Sequence, residues 1–255
     1  MTRPLTRTHF HSSRLTRTLA GMGALGAAEP GNAFAEQLGL WVDFKGAITL
    51  SSVHNAPVAS SNQAKSGAPS GVAASIAQEF ARARAALESA IATSGTPGAA
   101  RLALPTPAVG ASVEEARAYA PYRRYHQAIQ RDLETKVGAL RARVRDAVAQ
   151  VSPTLRQLAA LDGAFDTILC EREARLLSTV PSLLEKRFQQ LLQAHQQTLA
   201  DRQLADSVEL WMKPGAWLAR FCGELQSVLL AELDLRLQPS MGLLDALHHE
   251  KSQHI

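Results

Sequence analysis

The sequence predicts an all-α fold, an antiparallel bundle of long amphipathic helices with a small N-terminal helical module joined by flexible linkers. Apolar residues recur every three or four positions through most of residues 112–247, the spacing that keeps one face of a helix apolar. Prolines and capping residues interrupt this period, and no alternating run of β-branched residues competes with it. Short connections between long helices predict antiparallel neighbours.

The N-terminal module is predicted over residues 1–54 as three short amphipathic helices. Ser12 or Ser13 can cap the first helix, Asn32 can cap the second, and the third begins at Asp43. The apolar positions of the first two helices are Leu15, Leu19, Met22, Phe34, Leu38 and Trp41. The three helices either form a module of their own or dock on the bundle.

Residues 55–111 are predicted as two linkers that flank one helix at 72–94. The linkers are rich in Ser, Ala, Gly and Pro and have no apolar period, as in flexible connections. The helix between them is rich in alanine and carries Phe80 and Leu87 on its apolar face. A face of such small side chains binds weakly unless another surface covers it.

The predicted bundle, residues 112–247, begins with a capping box. In Ser112-Val-Glu-Glu115 the serine hydroxyl can accept from the third amide while the glutamate reaches back to the serine amide. Ser152-Pro153 starts the next long helix, because proline is tolerated in a first turn. We expect these two helices, 112–150 and 152–201, to pack against each other. One extended coiled coil that dimerises is the alternative.

The last long helix is predicted after Pro214-Gly215, which separates it from a short helix ending at Trp211. Pro239 is expected to end that helix, and a terminal turn and a tail at 248–255 follow. Pro181 is compatible with two arrangements, a new helix start or a kink in one long helix. The spacing of four from Val180 to Leu184 favours the kink.

Composition indicates a chain with a true hydrophobic core, since 46% of its 255 residues are hydrophobic. The formal net charge is +4, but the excess lies in residues 1–28, which hold four arginines and no acid. Global charge is therefore poor support for nucleic-acid binding. Both Cys170 and Cys222 lie in helical runs beside apolar residues, where we expect small buried hydrophobic side chains.

The localisation predicted from the sequence is cytoplasmic. No apolar run reaches the ~18 residues that a transmembrane helix needs. The alternative is export, because basic residues precede the weakly apolar stretch 19–28, and Ala33-Phe34-Ala35 resembles a cleavage site. The arginine-rich, acid-free start also resembles a mitochondrial presequence.

Motifs for chemistry are absent from the sequence. It contains no phosphate-binding glycine pattern, no H-E-x-x-H and no paired C-x-x-C. His195 is expected to be a partly buried histidine near an apolar stripe, and the terminal histidines His248, His249 and His254 to be solvated. We therefore predict that the protein is not an enzyme and has no cofactor, no metal site and no catalytic residues.

A basic ridge is predicted on the first bundle helix. At 100° per residue, four arginines fall opposite the apolar stripe. They are Arg117, Arg124, Arg131 and Arg145. Such a ridge can follow phosphates, so binding of nucleic acid or another polyanion is one hypothesis. A solvated face whose charges pair with neighbouring acids is the favoured interpretation, because no nucleic-acid-reading motif accompanies the ridge.

Several segments resemble one protein family. The quoted motifs are Phe34-Ala-Glu-Gln-Leu-Gly-Leu-Trp41, Ala47-Ile-Thr-Leu-Ser51, Pro121-Tyr-Arg-Arg-Tyr125, Ser152-Pro-Thr-Leu-Arg-Gln-Leu-Ala-Ala-Leu161, Val180-Pro-Ser-Leu-Leu-Glu-Lys-Arg-Phe188 and Glu232-Leu-Asp-Leu-Arg-Leu-Gln-Pro239. They resemble the bacterial family known as domain of unknown function 3348. The resemblance covers most of the chain outside the two linkers. It implies a cytoplasmic bacterial helical protein and brings no activity or catalytic residues with it.

The function predicted from the sequence is that of a non-enzymatic helical adaptor or scaffold. Its bundle would be a rigid body that binds protein partners through apolar helix faces. The predicted contact residues are Phe34, Leu38, Trp41, Phe80 and Leu87. Polyanion binding and an exported, envelope-associated protein are the two alternatives. Homo-oligomerisation stays open, and no membrane span is expected.

Overall fold

The computed structural model describes residues 13–23, 42–56, 69–93, 103–108 and 110–253. These ranges contain helices and no strand, which confirms the predicted all-α fold. In chain order the elements are α1 (Arg14–Gly21), α2 (Phe44–His54), α3 (Pro69–Ala92), α4 (Val113–Ala116), α5 (Ala120–Ala149), α6 (Pro153–Leu177), α7 (Val180–Arg202), a 3₁₀ turn (Val208–Leu210) and α8 (Trp217–Gln253).

Helix α8 lies at the centre of the fold. It packs against α1, α3, α5, α6 and α7. The apolar side chains on its inward face recur at a spacing of three or four residues, and most of them have no exposed surface. Those with no exposed surface are Leu218, Phe221, Leu225, Val228, Leu229, Ala231, Leu233, Leu237 and Leu247. The other helices therefore owe much of their buried surface to this one helix.

Helices α5 and α6 are antiparallel, as their cross-contacts show. Gln130 near the start of α5 donates to the carbonyl of Leu177 at the end of α6. Further along, Arg141 of α5 pairs with Asp162, 21 positions later in the chain, in the first half of α6. As residue numbers rise along α5, the numbers of their contact residues in α6 fall. The two helices therefore run in opposite directions, as expected of neighbours joined by a short turn.

Two of the predicted helix starts are confirmed. The hydroxyl of Ser112 accepts from the amide of Glu115 at 3.3 Å, while Glu115 Oε2 accepts from the Ser112 amide at 3.1 Å. The hydroxyl of Ser152 accepts from the amide of Leu155 at 3.1 Å. The helix expected over 112–150 is nevertheless interrupted. The chain leaves α4 after Ala116 and restarts as α5 at Ala120, with Pro121 in the first turn, where its missing N–H has no partner to lose.

The preference for a kink at Pro181 was wrong. Helix α6 ends at Leu177, and α7 begins at Val180 with the proline in its first turn. A proline in that position has no hydrogen-bond partner to lose, so the break avoids the cost of an interior proline. The hydroxyls of Ser178 and Thr179 donate to the carbonyls of Arg175 and Leu176, which satisfies the end of α6.

Pro239 does not end the last helix, contrary to the sequence prediction. Helix α8 continues through it to Gln253, so residues 248–253 of the predicted tail are helical as well. An interior proline costs about 3 kcal/mol. The continuation buries Leu243, Leu244 and Leu247 in the core. Each fully buried leucine contributes about 1.5–3 kcal/mol, so this burial outweighs the local cost.

The described N-terminal helices dock on the bundle. Helix α1 packs on α8, α2 packs on α6, and α3 packs on both α5 and α8. Of the two arrangements considered for the N-terminal module, α1 and α2 follow the docked one. The predicted second short helix, with Phe34, Leu38 and Trp41, lies outside the described residues, as does most of both predicted linkers.

Candidate functional site

The outer face of α2 carries the most exposed large apolar side chain in the described ranges. Phe44 is 84% exposed, and Ile48, one turn later, is 54% exposed. On the opposite side, Gly46 lies against α6, and a Cβ added there would be 3.3 Å from the side chain of Ile168. Helix α2 is therefore apolar on two sides, while α6 covers one of them.

Both ends of α2 are tied by hydrogen bonds. Asp43 Oδ1 caps the helix by accepting from the amide of Gly46 at 2.7 Å. At the other end Gln157 of α6 donates its amide to the carbonyl of His54 at 2.6 Å. The cap stabilises the first turn of α2, while the bond from Gln157 and the packing on α6 fix the orientation of its outer face, which lowers the ordering cost of binding a partner there.

Sequence reasoning did not single out Phe44 and Ile48. In the sequence, α2 has apolar residues on two sides. This pattern does not determine which side is covered by another helix. Two residues that it did choose, Phe80 and Leu87, are buried, at 7% and 6% exposure. These two predicted contact residues are thus taken up by the fold itself, because the weak apolar face of α3 is covered by α5 and α8.

Asp206 is the centre of a polar cluster between α7 and the 3₁₀ turn. Its Oδ1 accepts from Trp211 Nε1 at 2.7 Å and lies 3.0 Å from His195 Nε2. Its Oδ2 accepts from Arg117 Nη2 at 3.2 Å. Both carboxylate oxygens are thus occupied, and they join α7, the loop after it and the segment between α4 and α5.

A left-handed turn brings Asp206 to this position. Gln203, at the end of α7, has a φ of 53°, and the amide of Leu204 donates back to the carbonyl of Leu199 at 3.0 Å. This six-to-one hydrogen bond reverses the chain at a helix end. The loop therefore folds back along α7 and meets His195.

The electrostatics of the cluster favour a charged carboxylate. Burial disfavours the charge, but hydrogen bonds from His195, Trp211 and Arg117 outweigh it and hold the pKa of Asp206 below its ordinary value. The ring of His195, 21% exposed, stacks on Trp217 at 5.9 Å. The Asp206 cluster is therefore arranged to hold the loop after α7 against that helix.

A second polar cluster is buried between α5 and α8. His126 and Glu232 both have 0% exposure, and His126 Nε2 lies 3.0 Å from Glu232 Oε1. That contact is an ion-pair distance, but its angle falls outside hydrogen-bond geometry. Gln130 donates to Glu232 Oε2 at 2.8 Å and to the Leu177 carbonyl at 3.2 Å. Glu232 is thereby tied to two residues of α5.

The predicted basic ridge is not assembled as one surface. Arg117 lies before α5 and pairs with Asp206. Arg145 pairs with two carboxylates of α6, in agreement with the favoured interpretation. Arg124 and Arg131 are exposed, and neither forms an ion pair with the described residues. They lie two turns apart on α5, about 10 Å along its axis.

The two cysteines differ in their surroundings. Cys222 is buried in α8, and this burial raises the pKa of its thiol to about 12. Cys170 is exposed on α6, so the expectation of burial was wrong for this residue. Its position in the helical run did not reveal that the adjoining face of α6 is open.

The described ranges contain neither a cluster of metal-binding side chains nor a helix that could span a membrane. Within the described ranges, no three His, Cys, Asp or Glu side chains converge in a way that could hold a metal ion. None of the described helices combines the length and the hydrophobicity that crossing a bilayer requires.

Comparison with known proteins agrees with the resemblance drawn from the motifs. A family model described as "Protein of unknown function (DUF3348)" matches residues 1–249. No curated protein matches the chain, and no solved structure matches it.

Proposed function

We propose, on the premise that this chain belongs to the family described as Protein of unknown function (DUF3348), that it is a non-enzymatic helical adaptor. Its protein partner would bind on the outer face of α2. The observation that carries this proposal is the pair Phe44 and Ile48, which are 84% and 54% exposed on consecutive turns.

The energetics of such a face support partner binding. Burying one large apolar side chain contributes about 1.5–3 kcal/mol, and a few aromatic anchors carry most of the energy of many interfaces. The face is presented by a helix that is capped at Asp43 and tied to α6 at His54. A rigid apolar face of this kind fits an amphipathic helix of a partner protein.

The polar clusters also support an adaptor over an enzyme. Asp206 is held by three donors, and Glu232 is held between His126 and Gln130. These carboxylates serve the packing of helices and loops. The general acids and bases of enzymes are instead placed within reach of a substrate.

A cytoplasmic location is part of the proposal. Leu15, Leu19 and Met22 of the N-terminal segment are buried against the bundle. Cleavage after Ala28 or Ala35 would remove helix α1 and uncover α8. The contribution of α1 to the core therefore favours an N-terminal segment that is retained.

The test is a substitution on the outer face of α2. Phe44→Ala with Ile48→Ala should abolish retention of partner proteins that the wild-type chain captures, as identified by affinity purification and mass spectrometry. Both residues are exposed, so the change in the free energy of unfolding should stay within about 0.5 kcal/mol. Circular dichroism at increasing temperature checks that the variant is folded.

Leu204→Ala is the matched control, because Leu204 is also exposed, at 57%, and lies in the loop after α7. This control should retain every partner. Removal of residues 1–94 is a poorer test, since it would strip α1, α2 and α3 from the core. An unchanged set of captured proteins with the double α2 variant would overturn the proposal.

A further inference from the structure

Helix α1 packs on a surface of α8, which we call the seat. Leu15, Leu19 and Met22 face inward and are 7%, 5% and 7% exposed. The rest of the helix is polar, and Ser13 caps it by accepting from the amide of Thr16. The three anchors fall at positions i, i+4 and i+7, the pattern by which an amphipathic helix lies in an apolar groove.

The seat also carries a charge that matches α1. Arg14, the first residue of the helix, pairs with Asp234 of α8. Asp234 Oδ1 accepts in addition from Arg84 Nη2 of α3 at 3.0 Å. The carboxylate therefore marks the edge of the seat where α3 and α8 meet. The seat selects for an amphipathic helix that begins with a basic residue.

The attachment of α1 is small for a core element. It consists of eight residues, and residues 22–43 lie between it and α2. The main packing partner of α1 is α8, which it contacts through three buried side chains and the ion pair of Arg14 with Asp234. Elements with few buried anchors open at a lower free energy than the central helices of a domain.

We propose that this seat on α8 is a second binding site, for a short amphipathic helix of a partner protein, and that α1 holds it closed. The partner helix would carry a basic residue at its first position and apolar residues at its second, sixth and ninth, as α1 does with Arg14, Leu15, Leu19 and Met22. This site is separate from the outer face of α2, so it does not rest on the proposed function.

Competition within the chain defines the expected behaviour. A tethered segment acts at an effective concentration of millimolar order, so a partner helix must displace α1 before it binds. The apparent affinity is reduced by the fraction of molecules whose seat is open. Variants that release α1 should therefore bind a helix added in solution more tightly than the wild type does.

The experiment uses a fluorescently labelled peptide of residues 12–24 and the full chain. Leu15→Asp with Leu19→Asp removes the inward anchors of α1 and leaves the seat on α8 intact. This variant should bind the peptide at least about tenfold more tightly than the wild type, as measured by fluorescence anisotropy. A peptide that carries the same two substitutions should not bind, and a peptide with Arg14→Glu should bind more weakly.

Circular dichroism establishes that the released variant is folded. If it is not, the full-chain variant Arg14→Glu takes its place, because it weakens the attachment of α1 and keeps both leucines. Equal binding by the wild type and the released variant would place the peptide elsewhere and overturn the proposal. No saturable binding by a folded released variant, up to about 1 mM, would overturn it as well.

Discussion

Glu232→Ala should lower the free energy of unfolding by about 3–5 kcal/mol, the largest effect expected of any single substitution outside the apolar core. The change leaves His126, which has no exposed surface, without the carboxylate beside it, and it removes one of the two acceptors of Gln130. A buried polar group that loses its partner keeps the full cost of its desolvation. Urea unfolding followed by circular dichroism measures the loss.

A double variant distinguishes the contribution of the polar pair to stability from the contribution of side-chain packing. His126→Leu with Glu232→Met replaces both polar side chains by apolar ones of similar volume. Because a buried pair gains little net free energy over such replacements, the double variant should recover most of the stability that either single variant loses. A loss equal to the sum of the two single losses would contradict this interpretation of the cluster.

Ser240 supplies a matched control on the same helix. It is also fully buried in α8, and its hydroxyl has no hydrogen-bond partner among the described residues. Ser240→Ala removes a hydroxyl without breaking a hydrogen bond to a described residue, so the free energy of unfolding should change by less than about 1 kcal/mol. A large loss here would show that buried polar positions in α8 are sensitive for a reason other than pairing.

Asp206→Ala should cost about 2–3 kcal/mol, the second-largest effect. It removes the acceptor of Trp211, His195 and Arg117 at once, and these donors lie on three different parts of the chain. The measurement is again urea unfolding at neutral pH. Asp201→Asn is the control, since Asp201 is exposed and, among the described residues, accepts only from Gln197, one turn earlier in α7.

The same carboxylate predicts a pH dependence. Because the pKa of Asp206 is lowered in the folded state, its stabilisation is fully present above the ordinary aspartate pKa of about 3.9. It is lost as the pH falls through the folded-state pKa. The stability difference between the wild type and Asp206→Asn should therefore stay constant from neutral pH down to about 4 and shrink below it. A difference that grows in acid would contradict the assignment.

The long helices could be predicted from the sequence because the features that define them, the apolar period and the capping residues, lie within each helix. The apolar period and the cap at Ser152 identify α5 to α8 without knowledge of their neighbours. The two prolines were misjudged because their outcome depends on packing. Pro239 is accommodated by the burial of leucines that follow it, which a local rule about helix interiors does not include.

The polar positions of the core illustrate the same limit. The apolar stripe of α5 has a gap between Tyr122 and Ile129, and the structure fills it with Tyr125 and His126, both buried. A polar residue on a stripe indicates that a partner is needed. The identity of that partner, Glu232 of α8, comes only from the three-dimensional arrangement.

The candidate surface on α2 was missed for a related reason. Phe44 and Ile48 belong to a helix with apolar residues on both sides, and which side faces α6 depends on the close approach at Gly46. That approach involves Ile168, which is far away in the sequence. Contacts between distant segments thus decided where the exposed face lies.

The central position of α8 has a consequence for how the protein is made in the cell. Translation produces α1 to α7 first, and the surface that five helices pack on, residues 217–247, leaves the ribosome after them. Until then their leucine-rich flanks stay open to solvent and to other nascent chains. The core therefore closes only late in synthesis, after residues 217–247 have been made.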